Sequence, residues 1–104
     1  MKICSVNSAV APQAAGGYSQ AIEVHGAQRI LYVSGQVPET ITGEVPKDFA
    51  EQARVAWSNV LAQLASANMT VKNLAKVTTF LSSREFAVSN REIRQEFLGA
   101  IVPH

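Results

Sequence analysis

The residues of this chain best suited to chemistry are uncharged and lie beside glycines. Gly16-Gly17-Tyr18-Ser19-Gln20 is one such group, and Val33-Ser34-Gly35-Gln36-Val37 is a second. Glycine lets a ligand come close to backbone donors, while Tyr, Ser and Gln supply hydrogen bonds that can be aimed. Such a set can bind and orient a small polar molecule. Gly-Gly before a strand is more often only a turn, so the pattern alone favours the structural reading over the functional one. A third candidate is Asn90, an amide where a helical stripe asks for an apolar side chain. A side chain of that kind must find partners or line a polar cleft.

Other chemistries lack their residues. The sequence contains no Gly-x-Ser-x-Gly elbow, no Walker loop and no dinucleotide fingerprint. A single cysteine, Cys4, cannot form an internal disulfide, and two histidines, His25 and His104, cannot build a structural zinc site between them. Cys4 reads as an ordinary thiol and His25 as a solvated turn residue. Nine Lys and Arg against eight Asp and Glu give a net charge of +1, and no basic run exceeds one residue. That balance argues against nucleic acid as a partner. Apolar residues make up 47% of the 104 and charged ones 16%, which excludes a disordered polyelectrolyte. No apolar run approaches the ~20 residues that span a bilayer. The Met1–Ser5 segment lacks the apolar core of a secretion signal. The expectation is a single cytoplasmic domain with no metal, no membrane and no nucleic acid.

These candidates need elements to hold them. Ile22 and Val24 alternate around Glu23, and Ile30-Leu31-Tyr32-Val33 is β-branched and aromatic, so the two runs read as a hairpin joined through 25–29. That pairing would set Tyr18 and its neighbours beside Ser34-Gly35-Gln36. Asp48 reads as the cap of a helix, with Glu51 completing a capping-box-like signal. Phe49, Ala53, Ala56, Trp57, Val60, Leu61 and Leu64 follow as one apolar stripe, expected to cover the hairpin's sheet. Val71 to Leu81 alternates like a strand, and a second helix is expected from about Phe86 to Leu98 with Phe86, Ile93 and Phe97 on its apolar face. One sheet edge is then uncovered, to be met by another chain or by residues past His104.

Taken in order, Gly17-Tyr18-Ser19-Gln20, Ser34-Gly35-Gln36-Val37-Pro38, Thr42-Gly43-Glu44, Gln52-Ala53, Asn59-Val60 and Phe86-Ala87-Val88-Ser89-Asn90 resemble the Rid family, also called the RidA or YjgF group. The resemblance runs from about Ser8 to Phe97. It implies an α+β, chorismate-mutase-like fold: a mixed sheet with two helices packed on one face. It also implies a homotrimer with ligand clefts between subunits and no cofactor. Many members hydrolyse enamine and imine intermediates, such as 2-iminopropanoate and 2-iminobutanoate, to 2-keto acids and ammonia. Carried over by motif, Tyr18 and Asn90 are the catalytic candidates, with Gly17, Ser34, Gly35 and Gln36 lining the substrate site. Gly17 stands where the family commonly has proline, which loosens the backbone that aims Tyr18.

The family's carboxylate-clamping arginine and its acidic residue correspond to positions beyond His104, as do its final strands. Residues 1–104 therefore read as one Rid-like domain incomplete at its C-terminus. A non-catalytic trimer that binds small carboxylates, as a sensor or scavenger, is the alternative to a deaminase. Translation inhibition or RNA cleavage, an older idea for relatives, is disfavoured by the near-neutral charge.

Overall fold

Helix α1 (Phe49–Ser66) begins and ends where its sequence signals lie. Asp48 is extended, and its Oδ1 accepts the Glu51 backbone N–H at 2.7 Å. The reciprocal half of a capping box is absent, because the Glu51 carboxylate accepts from Arg54 at 2.8 Å instead. At the other end Asn68 turns left-handed, with φ at 57°. Met69 N–H donates to Leu64 O at 2.8 Å and Asn68 N–H to Ala65 O at 3.0 Å, the paired bonds of a Schellman ending. The last turn of α1 holds no basic residue, and Arg29 supplies the cation from outside by donating to Ala67 O at 3.0 Å. The structure, a computed structural model, describes residues 2–14 and 18–99.

Helix α2 (Ala87–Leu98) follows a 3-10 turn at Arg84–Phe86. Ile93, 2% exposed, packs with Trp57 and Leu98 to form the buried core cluster. Phe86 stacks on Phe49 with ring centres 4.5 Å apart, and Phe97 lies 5.9 Å from Trp57. Outside this apolar seam, Arg54 forks onto Glu96, with Nε to Oε2 and Nη2 to Oε1 each at 3.0 Å. The two helices are thus joined by packed rings within and a bidentate ion pair without.

Strands β1 (Lys2–Val6) and β2 (Ala21–His25) form an antiparallel pair, with Lys2 opposite His25 and Val6 opposite Ala21. The fold is α+β, as the family resemblance implies, but several details differ from the expectation. β2 pairs with β1, not with Ile30–Val33. After His25, Gly26 bends the chain at φ 65° and Arg29 is tied to the end of α1, so the backbone leaves the edge of β2. His25 is the last residue of a strand, where it pairs with Glu23, and is not a turn residue. Among the described residues the sheet has two antiparallel strands, so the expected mixed sheet is not formed there.

The stripe of α1 is covered from elsewhere too. The residues packed on the core cluster come from α1, α2 and the 71–77 segment (Val71, Leu74, Val77), not from the hairpin. Val71–Asn73 is a 3-10 turn, and residues 74–81 run on without a ladder. Their alternation still holds: Val77 and Leu81 are half-buried, while Lys76, Thr78 and Phe80 are exposed. Side-chain direction follows from the extended backbone alone, whereas a ladder needs a neighbouring strand at hydrogen-bonding distance. The accessible surface reflects this openness, at 7522 Å², against about 5,700 Å² for a compact monomer of this mass.

Candidate functional site

The segment Ser34-Gly35-Gln36 is placed by α1. Along one flank of that helix run three amides, Gln52, Asn59 and Gln63, within about 40° of each other on the helical wheel. Asn59 Nδ2 donates to Val37 O at 3.0 Å and to Glu39 O at 2.9 Å. Gln52 Nε2 donates to Pro46 O at 2.8 Å. Between these two anchors the chain closes a turn, Thr40 N–H donating to Glu44 O and Gly43 N–H to Thr40 O, both at 2.9 Å. Gly43 takes φ 87° there, which is why the Thr42-Gly43-Glu44 signal needs its glycine.

Ser34 and Gln36 line a shallow depression of about 250 Å³ with Leu31, Tyr32, Val33 and Gln63. The Gln36 amide donates to Ser34 O at 3.0 Å, which holds the segment curled on itself. A side chain at Gly35 would meet nothing within 4 Å, so its surface is open to an approaching molecule. Apart from the Tyr32 phenol, 87% exposed, no titratable group lines the depression. The setting is neutral and suits a ligand recognised by directed hydrogen bonds.

Tyr18 lies elsewhere. It is 40% exposed, next to Ser19, whose buried hydroxyl donates to Ser5 Oγ at 2.8 Å. Gln20 N–H donates to Asn7 Oδ1 at 2.8 Å. These bonds tie the 18–20 segment to the end of β1, where the sequence reading had placed it beside residues 34–36. The physical reason is the strand exchange described above: β1 occupies the edge that 30–33 was expected to take. Gly17 lies outside the described residues. Asn90 is half-buried at the end of the first turn of α2. The chain thus brings together Ser34 and Gln36, adds Gln63, and does not gather Tyr18 or Asn90 around that depression.

The strongest electrostatic coupling lies away from this site. Hydrogen bonds from Arg54 hold the Glu96 carboxyl below its ordinary range, and the same contacts with Glu96 and then Glu51 raise the Arg54 guanidinium. Among the described residues no group of three or more His, Cys, Asp or Glu is placed to hold a metal ion. No described helix is long and apolar enough to cross a membrane. Of the amides on α1, Asn59 enters the sequence reading only within the Asn59-Val60 motif, with no role, and Gln63 belongs to no motif. Their signal was available as polar residues at i, i+7 and i+11 from Gln52, bordering the apolar stripe.

A family model described as endoribonuclease L-PSP matches residues 8–104. The chain belongs to that family. It is the Rid group that the ordered motifs resemble, and its relatives carry both kinds of name. A RutC family protein of Pasteurella multocida is 39% identical over 89 residues, 84% of this chain and 67% of its own length. TdcF of Escherichia coli, whose name proposes a reactive intermediate deaminase, is 35% identical over 84% of this chain and 67% of its own. A crystal structure of TdcF with bound serine superposes with a TM-score of 0.65 at 29% identity, covering 90% of this chain and 72% of that one. A Thermotoga maritima structure described as a candidate endoribonuclease gives a TM-score of 0.70 at 31% identity, covering 99% of this chain and 80% of that one. The L-PSP fold is therefore recognisable here despite the short sheet.

Proposed function

We propose that this protein hydrolyses reactive enamine and imine intermediates, of the 2-iminopropanoate and 2-iminobutanoate class, to 2-keto acids and ammonia. The observation that carries the reading is the 35% identity to TdcF, whose name proposes a reactive intermediate deaminase. In the reaction, water adds to the C=N carbon, a proton reaches nitrogen, and the carbinolamine collapses with loss of ammonia. A neutral, hydrogen-bonding site suits it, because the substrate already carries its electrophile and needs a held water and donors for the departing nitrogen. Ser34, Gly35 and Gln36 line the substrate site in this reading, and Tyr18 and Asn90 complete it. Tyr18 and Asn90, which lie apart from the depression, meet it across subunits in this reading, in the homotrimer that the family resemblance implies.

A second reading, a non-catalytic binder of small carboxylates, is favoured by one observation: TdcF was crystallised with bound serine. A single experiment separates the two. The protein is added to a threonine dehydratase reaction, and 2-oxobutanoate release is followed with and without it. Faster release, reduced at least about tenfold by Tyr18→Ala or Asn90→Ala with oligomeric state preserved, supports the deaminase and its site. Saturable 2-oxobutanoate binding without faster release would establish the binder. Unchanged rates in both variants of an active protein would remove Tyr18 and Asn90 from the site. RNA affinity that falls steeply with salt would instead favour the endoribonuclease of the family's description, against which the +1 net charge argues.

A further inference from the structure

We infer that Asn59 is a positioning residue: its side-chain amide clasps the Val37–Glu39 turn and so sets the geometry of Ser34-Gly35-Gln36, with consequences for substrate affinity that rest on the functional reading above. The clasp is unusually complete for one side chain. Both carbonyls it engages, Val37 O at 3.0 Å and Glu39 O at 2.9 Å, lie on either side of Pro38, which has no N–H to offer a neighbour. Glu39 N–H turns back to Val37 O at 2.8 Å, which tightens the turn around the amide. One Nδ2 group therefore holds three consecutive residues against α1.

Among the described residues, the segment just before the turn has no comparable anchor of its own between Ile30 and Gln36. Residues 30–36 belong to no strand, and the hydrogen bond at Ser34–Gln36 is internal, from the Gln36 amide to Ser34 O. The 30–36 segment is thus tied to α1 at its two ends, by Arg29 on Ala67 O and by the Asn59 clasp, and Ser34-Gly35-Gln36 take their position from the nearer fixed point. That point is Val37, adjacent to Gln36 and about 3.8 Å away between Cα atoms. Gln63 stands one helical turn beyond Asn59 on the same flank and lines the depression with Ser34 and Gln36. The helix therefore contributes a wall of the depression and, one turn earlier, the clasp that holds the opposite wall to it. Gln52, bonded to Pro46 O, secures only the distal end of the intervening loop.

The test compares Asn59→Ala and Asn59→Asp, the latter matching the shape of asparagine without its donors, with Gln52→Ala. Amide exchange of Glu39 and Thr40 is expected to accelerate about tenfold in both Asn59 variants. With 2-iminobutanoate as substrate, KM should rise about tenfold while kcat stays within about twofold, as lost ground-state positioning predicts. Gln52→Ala should leave KM within about twofold of wild type, because it frees the loop only at its far end. Trp57 is the only tryptophan and is buried, so its fluorescence checks that the helical core is intact in each variant. Should Asn59→Ala not fold, Asn59→Ser, which keeps one donor, carries the same comparison.

Wild-type exchange rates in Asn59→Ala, or faster exchange with KM unchanged, would overturn the assignment. A fall in kcat and core stability together, with no separate change in KM, would also overturn it, since that is the mark of a merely structural residue. A wild-type protein that neither turns over 2-iminobutanoate nor binds 2-oxobutanoate defeats the functional reading instead. Exchange at Glu39 and Thr40 then decides the clasp by itself.

Discussion

The helical half of this molecule and its extended half both carry apolar runs, yet among the described residues the fully buried apolar side chains all lie in the helices. α1 and α2 bury Trp57, Leu64, Ile93 and Leu98. Along the extended segments Ile30 is 71% exposed and Phe80 93%. A helix satisfies its backbone within itself, so it needs a neighbour only for its apolar stripe. A strand needs a neighbour for its backbone as well. β1 and β2 find each other, while among the described residues 30–36 and 74–81 join no ladder. The first of these segments is flanked by side-chain ties rather than by a strand, Arg29 donating to Ala67 O before it and Asn59 to Val37 O and Glu39 O after it.

The sharpest way to break this contrast is to truncate matched residues in the two halves. Ile93→Ala should cost about 3 kcal/mol in denaturant unfolding followed by Trp57 fluorescence, through lost burial and the cavity left behind. Ile30→Ala should cost less than about 0.5 kcal/mol, since a wet side chain loses little. Equal costs would show that Ile30 is covered in solution, and dependence on protein concentration would name a second chain as the cover.

A smaller effect tests whether the helices stand on their own signals. Asp48→Ala removes the side chain that accepts from Glu51 N–H, and should cost about 1 kcal/mol in the same unfolding measurement. Asp48→Asn should retain most of it, because asparagine caps nearly as well. No loss in the alanine variant would mean that packing alone starts α1.

The smallest effect concerns the ion pair that links the helices. Glu96 is held below its ordinary value of 4.5 in the folded protein, chiefly by hydrogen bonds from Arg54. A carboxyl lowered on folding contributes stability above its unfolded pKa and loses it as pH falls through the folded value. The contribution should therefore fade below about pH 4.5 and weaken with salt, since both side chains are partly exposed. Glu96→Gln should flatten this part of the stability curve and leave the neutral-pH core unchanged. A Glu96→Gln curve parallel to wild type throughout the acid range would show that the fork carries no linkage.

Much of the helical half was legible in the sequence. The cap at Asp48, the stripe from Phe49 to Leu64 and the end of α2 near Leu98 all depend on neighbours within four residues. The alternation at 76–81 also survived, with Thr79 the exception in being exposed on the inward side. The hairpin partner was misread because Ile30–Val33 and the Lys2–Val6 segment are both competent strands, and pattern does not choose between them. The family motifs pointed to Ser34, Gly35 and Gln36, and the depression there includes Ser34 and Gln36. They include Asn59 but not its role, and they omit Gln63; which carbonyls come within reach of either amide is decided by the fold.

The sequence by itself determined the helices, the Asp48 cap, the polar groups beside glycines and the family. Each rests on residues close together in the chain or on motifs kept in order. Tertiary structure alone decided that β1 pairs with β2, that Arg29 completes the end of α1, that Arg54 reaches Glu96, and that Asn59 holds the Val37–Glu39 turn. Those contacts join residues 20 to 42 positions apart, apart from the hairpin's own turn-ward pairs. Their free energy depends on where the backbone travels, and no local pattern encodes that path.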